Sequence, residues 1–333
     1  MQPKYKIAIC APCHIQPSEE WVQALKSVSN KSNVKVIIVD DSNGKIEMPD
    51  DFEVFDYDRQ EEFLGEELYA KFEKFHKSSA CKNFGHLYAY KKGFDIIIGL
   101  DSDCIVPPNF IADHLEGLMM KSTGWVNTIK NSGWFPRGFP FSQRNLRTAF
   151  SLGLWENELD LYGTDRAQRL PELPPPSPCA VLAHEVADGM TALSGMNWAC
   201  WAECIPALLF LPNFEYRPDI EEAKLYKFRR HDDIWGGYIF QALMAKRDER
   251  LVFGHPIVFH DTVVVAEEDA AEEEDAIAFE NSFYNAVDVL MTEVEFGDYD
   301  EMFYDFYKKA EVAWANSEWQ PLVDAMEFWV NAI

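Results

Sequence analysis

The segment that most constrains the fold is a strand-like run ending in two aspartates, residues 96–103, IIIGLDSD. Its apolar, mostly β-branched part, Ile96 to Leu100, predicts a strand buried on both faces, which is typical of a parallel sheet in an α/β domain. Asp101 and Asp103 follow where the strand leaves the sheet, the edge at which open α/β sheets bind ligands. A divalent metal is the simplest partner for two carboxylates that would otherwise repel each other. A helix cap and a solvated side chain are the alternative that this run leaves open.

The first third of the chain predicts a nucleotide-binding half. Residues 5–14 and 33–42 are strand-like and flank a helical segment, which gives a βαβ opening. The second strand ends in Asp40 and Asp41, so we expect them at the same sheet edge as the first aspartate pair. This half is expected to span about residues 1–110.

Later segments predict a different organisation. The proline-rich stretch 170–178 predicts a rigid extended linker. Residues 231–246 predict a helix, 250–262 a strand, and the acidic run 266–275 a solvated, mobile loop. The chain is therefore expected to comprise a catalytic domain over 1–262, an acidic loop over 263–284 and a C-terminal helical region over 285–333.

The predicted helix 231–246 carries two aspartates in its first turn, Asp232 and Asp233. Such residues commonly cap a helix and favour its dipole. However, Gly236 and Gly237 would weaken the same helix, which indicates that something packs closely against this turn.

The charge balance excludes some partners. Thirty Lys and Arg residues against 56 Asp and Glu give a formal net charge of −26. A surface this negative repels nucleic acid and anionic membranes. An apolar run long enough to cross a membrane does not occur in the sequence, so we predict no membrane insertion and a cytoplasmic location.

Seven scattered cysteines suit a reducing compartment. The motif Cys10-Ala-Pro-Cys13-His14 superficially matches a haem-attachment or redox motif, and Cys200 and Cys204 could contribute to a four-thiolate zinc site. We expect these cysteines to be small buried hydrophobes instead.

Several blocks in the same order resemble the reversibly glycosylated polypeptides, a family that includes the UDP-arabinopyranose mutases. The blocks are VIIVDDS (36–42), SACKNFGHLYAYKKGFDIIIGLDSDC (79–104), VNT (126–128), RGFPFSQR (137–144), GLW (153–155), SGMN (194–197), RHDDIWGG (230–237) and GHPIVFHD (254–261). The resemblance implies an α/β, GT-A-like fold for binding a nucleotide sugar, with a mostly parallel central sheet and a C-terminal helical extension. It also implies a UDP-sugar substrate and a divalent metal.

Two positions depart from the family pattern. Ser102 stands where the family usually has the middle of three aspartates, although the outer two are kept. Beyond His260 the family tends to carry Asn-Pro-Phe and a lysine pair, and this chain has the acidic run 266–275 instead. A diphosphate contact from that loop is therefore not expected.

The resemblance implies a metal site formed by Asp101, Asp103 and His260. Imidazole is a poor magnesium ligand, so Mn²⁺ is expected, with Mg²⁺ as the alternative. A histidine satisfied by a backbone carbonyl is the other reading of His260.

The arginines of RGFPFSQR are Arg137 and Arg144. The resemblance implies that Arg137 is reversibly glycosylated and that both are needed for mutase activity. Guanidinium stays protonated, so a clamp on the diphosphate is the easier chemical role, and both roles stay open. Arg230 would add to the same positive patch.

The remaining predicted contacts are to the substrate. Asp232 and Asp233 would orient the sugar hydroxyls or shuttle a proton during ring opening and closure. Gly195, Met196 and Asn197 would lie along the sugar, and Asp40 and Asp41 would contact uracil or ribose.

The leading function is interconversion of UDP-arabinopyranose and UDP-arabinofuranose. A glycosyltransferase that uses a UDP-sugar donor, including self-glycosylation, is the alternative, and a catalytically silent partner subunit is a third class. A homo-oligomer is left open.

Overall fold

The computed structural model describes residues 5–129, 134–168, 184–219, 223–263 and 265–333. The linker predicted over 170–178 lies outside these residues. Within them, the strands are β1 (Ile7–Cys13), β2 (Val34–Asp40), β3 (Glu53–Phe55), β4 (Ile96–Leu100), β5 (Cys104–Ile105), β6 (Lys121–Ser122), β7 (Leu146–Asn157), β8 (Glu185–Val186), β9 (Asn197–Trp201), β10 (Phe214–Tyr216), β11 (Tyr226–Phe228) and β12 (Arg250–His260).

Helices cover both faces and the C-terminal part of the described chain. They are α1 (Glu19–Ser29), α2 (Tyr57–Leu64), α3 (Glu66–Phe72), α4 (Asn83–Lys91), α5 (Phe110–Met119), α6 (Gly163–Ala167), α7 (Asp232–Lys246), α8 (Ala266–Met291), α9 (Tyr299–Ala313) and α10 (Gln320–Ala332). None of these helices combines the length and the apolar character that a membrane span requires.

A ten-stranded mixed sheet forms the centre of the fold. Eight strands follow the order β3-β2-β1-β4-β9-β7-β12-β5, and two short strands pair beside them, β6 with β7 and β8 with β12. β1 pairs in parallel with β2 and β4, and β7 pairs in parallel with β12. β9 lies antiparallel between β4 and β7, so β4 and β7 point the same way. The predicted α/β, GT-A-like fold class with a mostly parallel sheet and C-terminal helices is therefore confirmed.

Both faces of the sheet are buried, as the apolar strands predict. Along β1, Ala8 and Cys10 belong to the core on one face, whereas Ile7, Ile9 and Ala11 belong to the core on the other. This alternation follows from the two-residue period of a strand. α1 and α5 pack on the second face, and α4, α7 and the C-terminal helices pack on the first.

The described cysteines lie in these cores. Cys10, Cys13, Cys81, Cys104, Cys200 and Cys204 are free thiols and are buried. The expectation that they behave as small hydrophobes is confirmed for these six residues.

The acidic run is helical, so the predicted mobile loop is wrong from residue 266 onward. Alanines alternate with acids in Ala266–Met291, and alanine is the best helix former. Three acids stand in the first turn, where the helix dipole favours them. Glu273 and Ala276 are also buried against the rest of the protein, so α8 is held by tertiary contacts. The helical region predicted from 285 therefore begins inside this helix.

The two glycines of α7 let other parts of the chain approach closely, as the sequence predicts. A Cβ on Gly236 would stand 2.1 Å from the carbonyl oxygen of Leu209, and one on Gly237 would stand 2.6 Å from Cβ of Leu193. α7 can therefore pack tightly only without side chains at these two positions.

Gly236→Ala is expected to destabilise the protein, although alanine normally favours a helix interior. The new methyl group would meet backbone, which cannot rotate away, so we expect a loss of about 1–3 kcal/mol or more in the free energy of unfolding. Urea unfolding would measure it. Gly189→Ala is the control, because a Cβ there meets nothing within 4 Å; comparable losses in the two variants would contradict the packing argument.

Candidate active site

A cavity of about 600 Å³ opens at the carboxyl edge of the sheet. Pro12 and His14 from the end of β1, the residues after β4 and His260 at the end of β12 all line it. Strand ends from three parts of the sequence therefore meet at the edge that the aspartate pattern predicts.

Asp103 and His260 lie together in this cavity. His260 Nε2 is 3.4 Å from Asp103 Oδ2, and its Nδ1 is 2.7 Å from the carbonyl oxygen of Glu158. A carbonyl can only accept, so Nδ1 donates, and Nε2 is the nitrogen that faces the carboxylate. Both readings of His260 therefore hold: one nitrogen is satisfied by backbone, and the other points into the site.

The pKa values of this pair reflect their contact. Burial would lower the pKa of His260, but Asp103 and the Glu158 carbonyl outweigh burial and raise it. Burial would raise the pKa of Asp103, but His260 outweighs it and the pKa is lowered. Both groups are therefore stabilised in their charged forms by each other.

Asp101 engages a buried lysine that the sequence reasoning missed. Lys82 ends a 3₁₀ turn, Ser79–Lys82, and is 2% exposed. Its Nζ donates to Asp101 Oδ1 at 2.8 Å and to the carbonyl oxygen of Gly195 at 3.2 Å. The available signal was a lysine among small and apolar residues in the segment 79–85, SACKNFG.

Electrostatics keep Lys82 charged despite its burial. Burial would lower its pKa, but Asp101, Asp232 and Asp233 together outweigh this and raise it. Burial raises the pKa of Asp101, and Lys82 opposes that rise. Lys82 is thus a fixed positive charge beneath the acidic wall of the cavity.

The donor set suits a divalent metal. Asp103, Cys104 and His260 bring possible ligand atoms within 4.8 Å of one another. A carboxylate and an imidazole suit Mn²⁺ better than Mg²⁺, as the sequence predicts. The third predicted ligand, Asp101, also lines the cavity but is not part of this group, and its Oδ1 is bonded to Lys82.

Asp232 and Asp233 both line the cavity at the head of α7. The N-cap residue is His231, so neither aspartate occupies the capping position. Asp232 Oδ2 accepts from Ser79 Oγ at 2.6 Å, and Asp233 Oδ2 accepts from the Gly195 N–H at 2.7 Å. Burial, reinforced by neighbouring carboxylates, raises the pKa of Asp233 well above its ordinary value. Asp233 can therefore hold a proton where a substrate would bind.

Arg230 lines the cavity but is paired with acids of α8. Its Nε is 3.1 Å from Glu273 Oε1, and its guanidinium is also 3.1 Å from Asp269 Oδ1. The predicted positive patch for a diphosphate is therefore neutralised at this residue by the helix that replaces the predicted loop.

The arginines of RGFPFSQR do not join this site. Among the described residues that line the cavity, neither Arg137 nor Arg144 occurs. Arg137 is exposed, and Arg144 lies over the ring of Phe141, 3.8 Å from its centroid. The structure thus differs from the predicted arginine-centred site.

Strand register explains this separation. Phe150 of β7 is level with Cys200 of β9, which is level with Ile97 of β4. The start of β7 at Leu146 therefore extends past the amino end of β4, and Arg144 precedes it. At about 3.3 Å per residue, roughly 26 Å of strand separates Leu146 from Leu154, which is near the cavity edge.

Asp40 and Asp41 accept hydrogen bonds from the protein itself, and their contacts to uracil or ribose stay a prediction. Asp40 accepts from the backbone N–H groups of Ser42 and Gly44, both at 2.8 Å, which fixes the turn after β2. Asp41 is buried and accepts from the hydroxyl of Tyr57 at 3.0 Å and from the backbone of Lys77 at 2.6 Å.

The SGMN block contributes one lining side chain. Met196 lines the cavity, and Gly195 lies beneath it, where a Cβ would stand 2.6 Å from Lys82 Nζ. Asn197 instead is fully buried: its amide donates to the carbonyl oxygens of Leu154 and Pro256. Asn197 therefore fastens strands together and differs from its predicted role along the sugar.

Acid pH is expected to destabilise the fold through His114, which bonds Asn197 Oδ1 at 3.0 Å. Burial lowers the pKa of His114 to about 3; the proximity of His184 adds to this and Asn197 opposes it. A histidine in the unfolded chain has a pKa near 6.5. The stability that neutral His114 contributes is therefore fully present above about pH 7 and is lost as the pH drops towards 3. His114 alone should account for roughly 2 kcal/mol between pH 7.5 and 5.

Urea unfolding of the wild type and His114→Gln over this range tests that expectation. The free energy of unfolding of the variant should fall less steeply with decreasing pH than that of the wild type. The difference in slope should correspond to about one bound proton. His86, also buried with a lowered pKa, contributes to both proteins alike and so cancels in the comparison. Equal slopes in the two proteins would contradict the assignment.

The cavity is strongly acidic overall. Eight carboxylates line it: Asp101, Asp103, Asp160, Asp165, Asp232, Asp233, Asp269 and Glu273. Arg166 and Arg230 are the arginines among its described lining residues. An anionic substrate therefore needs a bound cation to enter.

Comparisons with known proteins agree with the resemblance. The sequence profile of the reversibly glycosylated polypeptide family matches residues 7–333, so the chain belongs to this family. A comparison with curated proteins gave no match.

Three solved structures are similar to this chain. Glucosyl-3-phosphoglycerate synthase from Mycobacterium tuberculosis in complex with phosphoglyceric acid is 15% identical, with 85% of this chain and 81% of that chain covered and a TM-score of 0.45. The same enzyme in complex with Mn²⁺ and UDP-glucose is 14% identical, with 85% and 80% covered and a TM-score of 0.44. A structure described as a mycobacterial protein is 15% identical, with 85% and 76% covered and a TM-score of 0.44.

Proposed function

We propose that this protein is a metal-dependent enzyme that breaks the anomeric carbon–oxygen bond of a UDP-sugar, and that it interconverts UDP-arabinopyranose and UDP-arabinofuranose. The observation that carries the proposal is the Asp103–His260 pair beside the Lys82–Asp101 pair in an acidic cavity, in a chain of the reversibly glycosylated polypeptide family. A cytoplasmic location and a homo-oligomer stay predictions.

The residues of the acidic edge divide the chemistry between them. Asp103 and His260, with Asp101, would hold a divalent cation, which when bound supplies positive charge to the departing diphosphate. Lys82 orients Asp101 and favours its ionised form against the effect of burial. Asp233, whose raised pKa favours its protonated form, is suited to exchange a proton with the ring oxygen or a hydroxyl as the ring opens and closes.

A glycosyltransferase, including self-glycosylation, is favoured by one specific observation. Arg137 is exposed and is not among the described residues that line the cavity, which suits an acceptor side chain presented to another molecule. For Arg137 to receive a sugar, either the segment before β7 must move or a second copy must supply the cavity. In either predicted role, covalent acceptor or diphosphate clamp, Arg137 would act from outside the cavity of its own chain.

Mixing two variants separates these routes. Asp103→Ala lacks the proposed metal ligand but keeps Arg137, and Arg137→Lys keeps the cavity. If sugar passes between copies, incubating the mixture with UDP-sugar should add one sugar mass to the RGFPF peptide of the Asp103→Ala chain. An unlabelled peptide in the mixture, with labelling in the wild type, would contradict transfer between copies.

The decisive assay for the mutase supplies UDP-arabinopyranose and Mn²⁺ with no acceptor. A mutase should form UDP-arabinofuranose while free UDP stays low, because the enzyme recaptures the diphosphate. A transferase should only hydrolyse its donor slowly. Slow release of UDP without UDP-arabinofuranose would overturn the mutase proposal and leave the transferase.

A further inference from the structure

A second group of possible metal ligands lies at the same sheet edge, outside the Asp103–His260 pair. His14 directly follows β1, Asp41 directly follows β2, and Cys81 lies in the 3₁₀ turn Ser79–Lys82. Their ligand atoms lie within 4.8 Å of one another, and His14 Nδ1 is 2.9 Å from Asp41 Oδ2. Three separate segments thus bring a nitrogen, an oxygen and a sulfur donor to one point.

The carboxylate at the centre of this group is held firmly in place. Oδ1 of Asp41 accepts from the Tyr57 hydroxyl at 3.0 Å and lies 2.8 Å from His76 Nδ1. Oδ2, on the side of His14, also accepts from the backbone N–H of Lys77 at 2.6 Å. Groups that hydrogen-bond a metal-binding carboxylate in this way orient it and tune the site.

This group combines three kinds of donor atom. A thiolate, an imidazole and a carboxylate form a set that Zn²⁺ favours, and three protein ligands leave one position open. The charges of one carboxylate and one thiolate would balance a dication, which matters because Asp41 and Cys81 are buried. The side chain of His14 is 42% exposed, so an ion has a route from solvent.

The spacing needs only a small adjustment. In a tetrahedral zinc site with bonds of about 2.0–2.3 Å, neighbouring ligand atoms stand roughly 3.3–3.6 Å apart. The ligand atoms of His14, Asp41 and Cys81 lie within 4.8 Å of one another, so they would have to approach by at most roughly 1.5 Å. On binding, the Cys81 thiol would give its proton to solvent and the sulfur would bond the metal.

We propose that His14, Asp41 and Cys81 form a second cation site, one that takes Zn²⁺ or a similar thiol-binding divalent metal. It shares no residue with the group formed by Asp103, Cys104 and His260. His14 also lines the cavity, so metal bound there would stand at the margin of the substrate cavity. The proposal does not depend on which sugar the enzyme handles.

Titrating the metal-free, full-length protein with Co²⁺ tests the site, because a cobalt–thiolate bond gives a charge-transfer absorption band in the near ultraviolet. We expect the band in the wild type, no band in Cys81→Ser, and at least about tenfold weaker binding in His14→Gln. Tyr57→Phe, which removes a hydrogen bond to the carboxylate, should weaken Co²⁺ binding by about 10–100-fold.

The matched control is Cys104→Ser, because Cys104 is the thiol beside Asp103 and His260. This variant, and Asp103→Asn, should keep the band. A wild type without the band, or a band lost in Cys104→Ser and kept in Cys81→Ser, would overturn the proposal. If Cys81→Ser fails to fold, the partly exposed His14→Gln decides: unchanged Co²⁺ affinity would overturn the proposal as well. None of these readouts involves turnover, so they stand apart from the mutase assay.

Discussion

Asp103→Ala is expected to lower turnover of the UDP-sugar by at least roughly 100-fold, because it removes a ligand of the cation proposed to offset the charge of the departing diphosphate. The side chain is 38% exposed and its ion pair involves only His260, so the free energy of unfolding should change by less than about 1 kcal/mol. Steady-state rates in Mn²⁺ and urea unfolding would measure the two effects separately.

Two further measurements sharpen that expectation. Glu116→Ala, an exposed carboxylate of α5, is the control and should leave the rate unchanged. Exhaustive chelation of the wild type should stop turnover, and added Mn²⁺ should restore it. Full turnover after chelation, or an Asp103→Ala enzyme that works normally, would contradict the proposed role of the metal.

Lys82→Met is expected to destabilise the protein by about 3–5 kcal/mol, the largest stability effect that we predict, because it leaves buried carboxylates without their positive partner. Lys82 is 2% exposed and bonds Asp101 at 2.8 Å. Asp232 and Asp233, like Asp101, raise the pKa of Lys82. Urea unfolding near neutral pH would measure the loss.

A double variant identifies the cause of that loss. If unpaired charge is responsible, Lys82→Met/Asp101→Asn should recover a substantial part of the stability, since the two residues share one interaction. Lys71→Met is the control: Lys71 pairs with Glu327 at 3.2 Å but is 36% exposed, so its loss should cost below about 1 kcal/mol. Equal costs at Lys71 and Lys82 would contradict the argument.

The sequence predicts the sheet and its ligand-binding edge well because these follow from local patterns. A run such as Ile96 to Leu100 has few alternatives to a buried strand, and an aspartate after such a strand must emerge at the carboxyl edge. His260 follows the same logic at the end of β12. Close packing at Gly236 and Gly237 is also readable, because glycine inside a helix is costly without a reason.

The failures all depend on contacts between distant segments. The acidic run looks like a solvated loop until Arg230 and the backbone of Gly163 are seen to bind Glu273. Asp41 looks like a ligand for uracil or ribose until Tyr57, His76 and Lys77 are seen to surround it. Proximity along the chain could not reveal either arrangement.

The arginine block lies away from the cavity for a geometric reason. It precedes a strand that is twelve residues long, and whether its arginines face the site depends on which end of that strand meets the edge. The register with β9 decides this, and register between distant strands is not readable from the block itself.

Helix α8 has a consequence for how this protein can be divided. It supplies Asp269 and Glu273 to the cavity wall, and Glu273 also holds the backbone of Gly163 and the side chain of Arg230. A fragment cut at residue 262 would keep every strand of the sheet yet lose one side of its own binding chamber. The sheet and the helical tail are therefore not interchangeable modules, and any recombination of this chain with a relative must carry residues 266–275 together with Arg230.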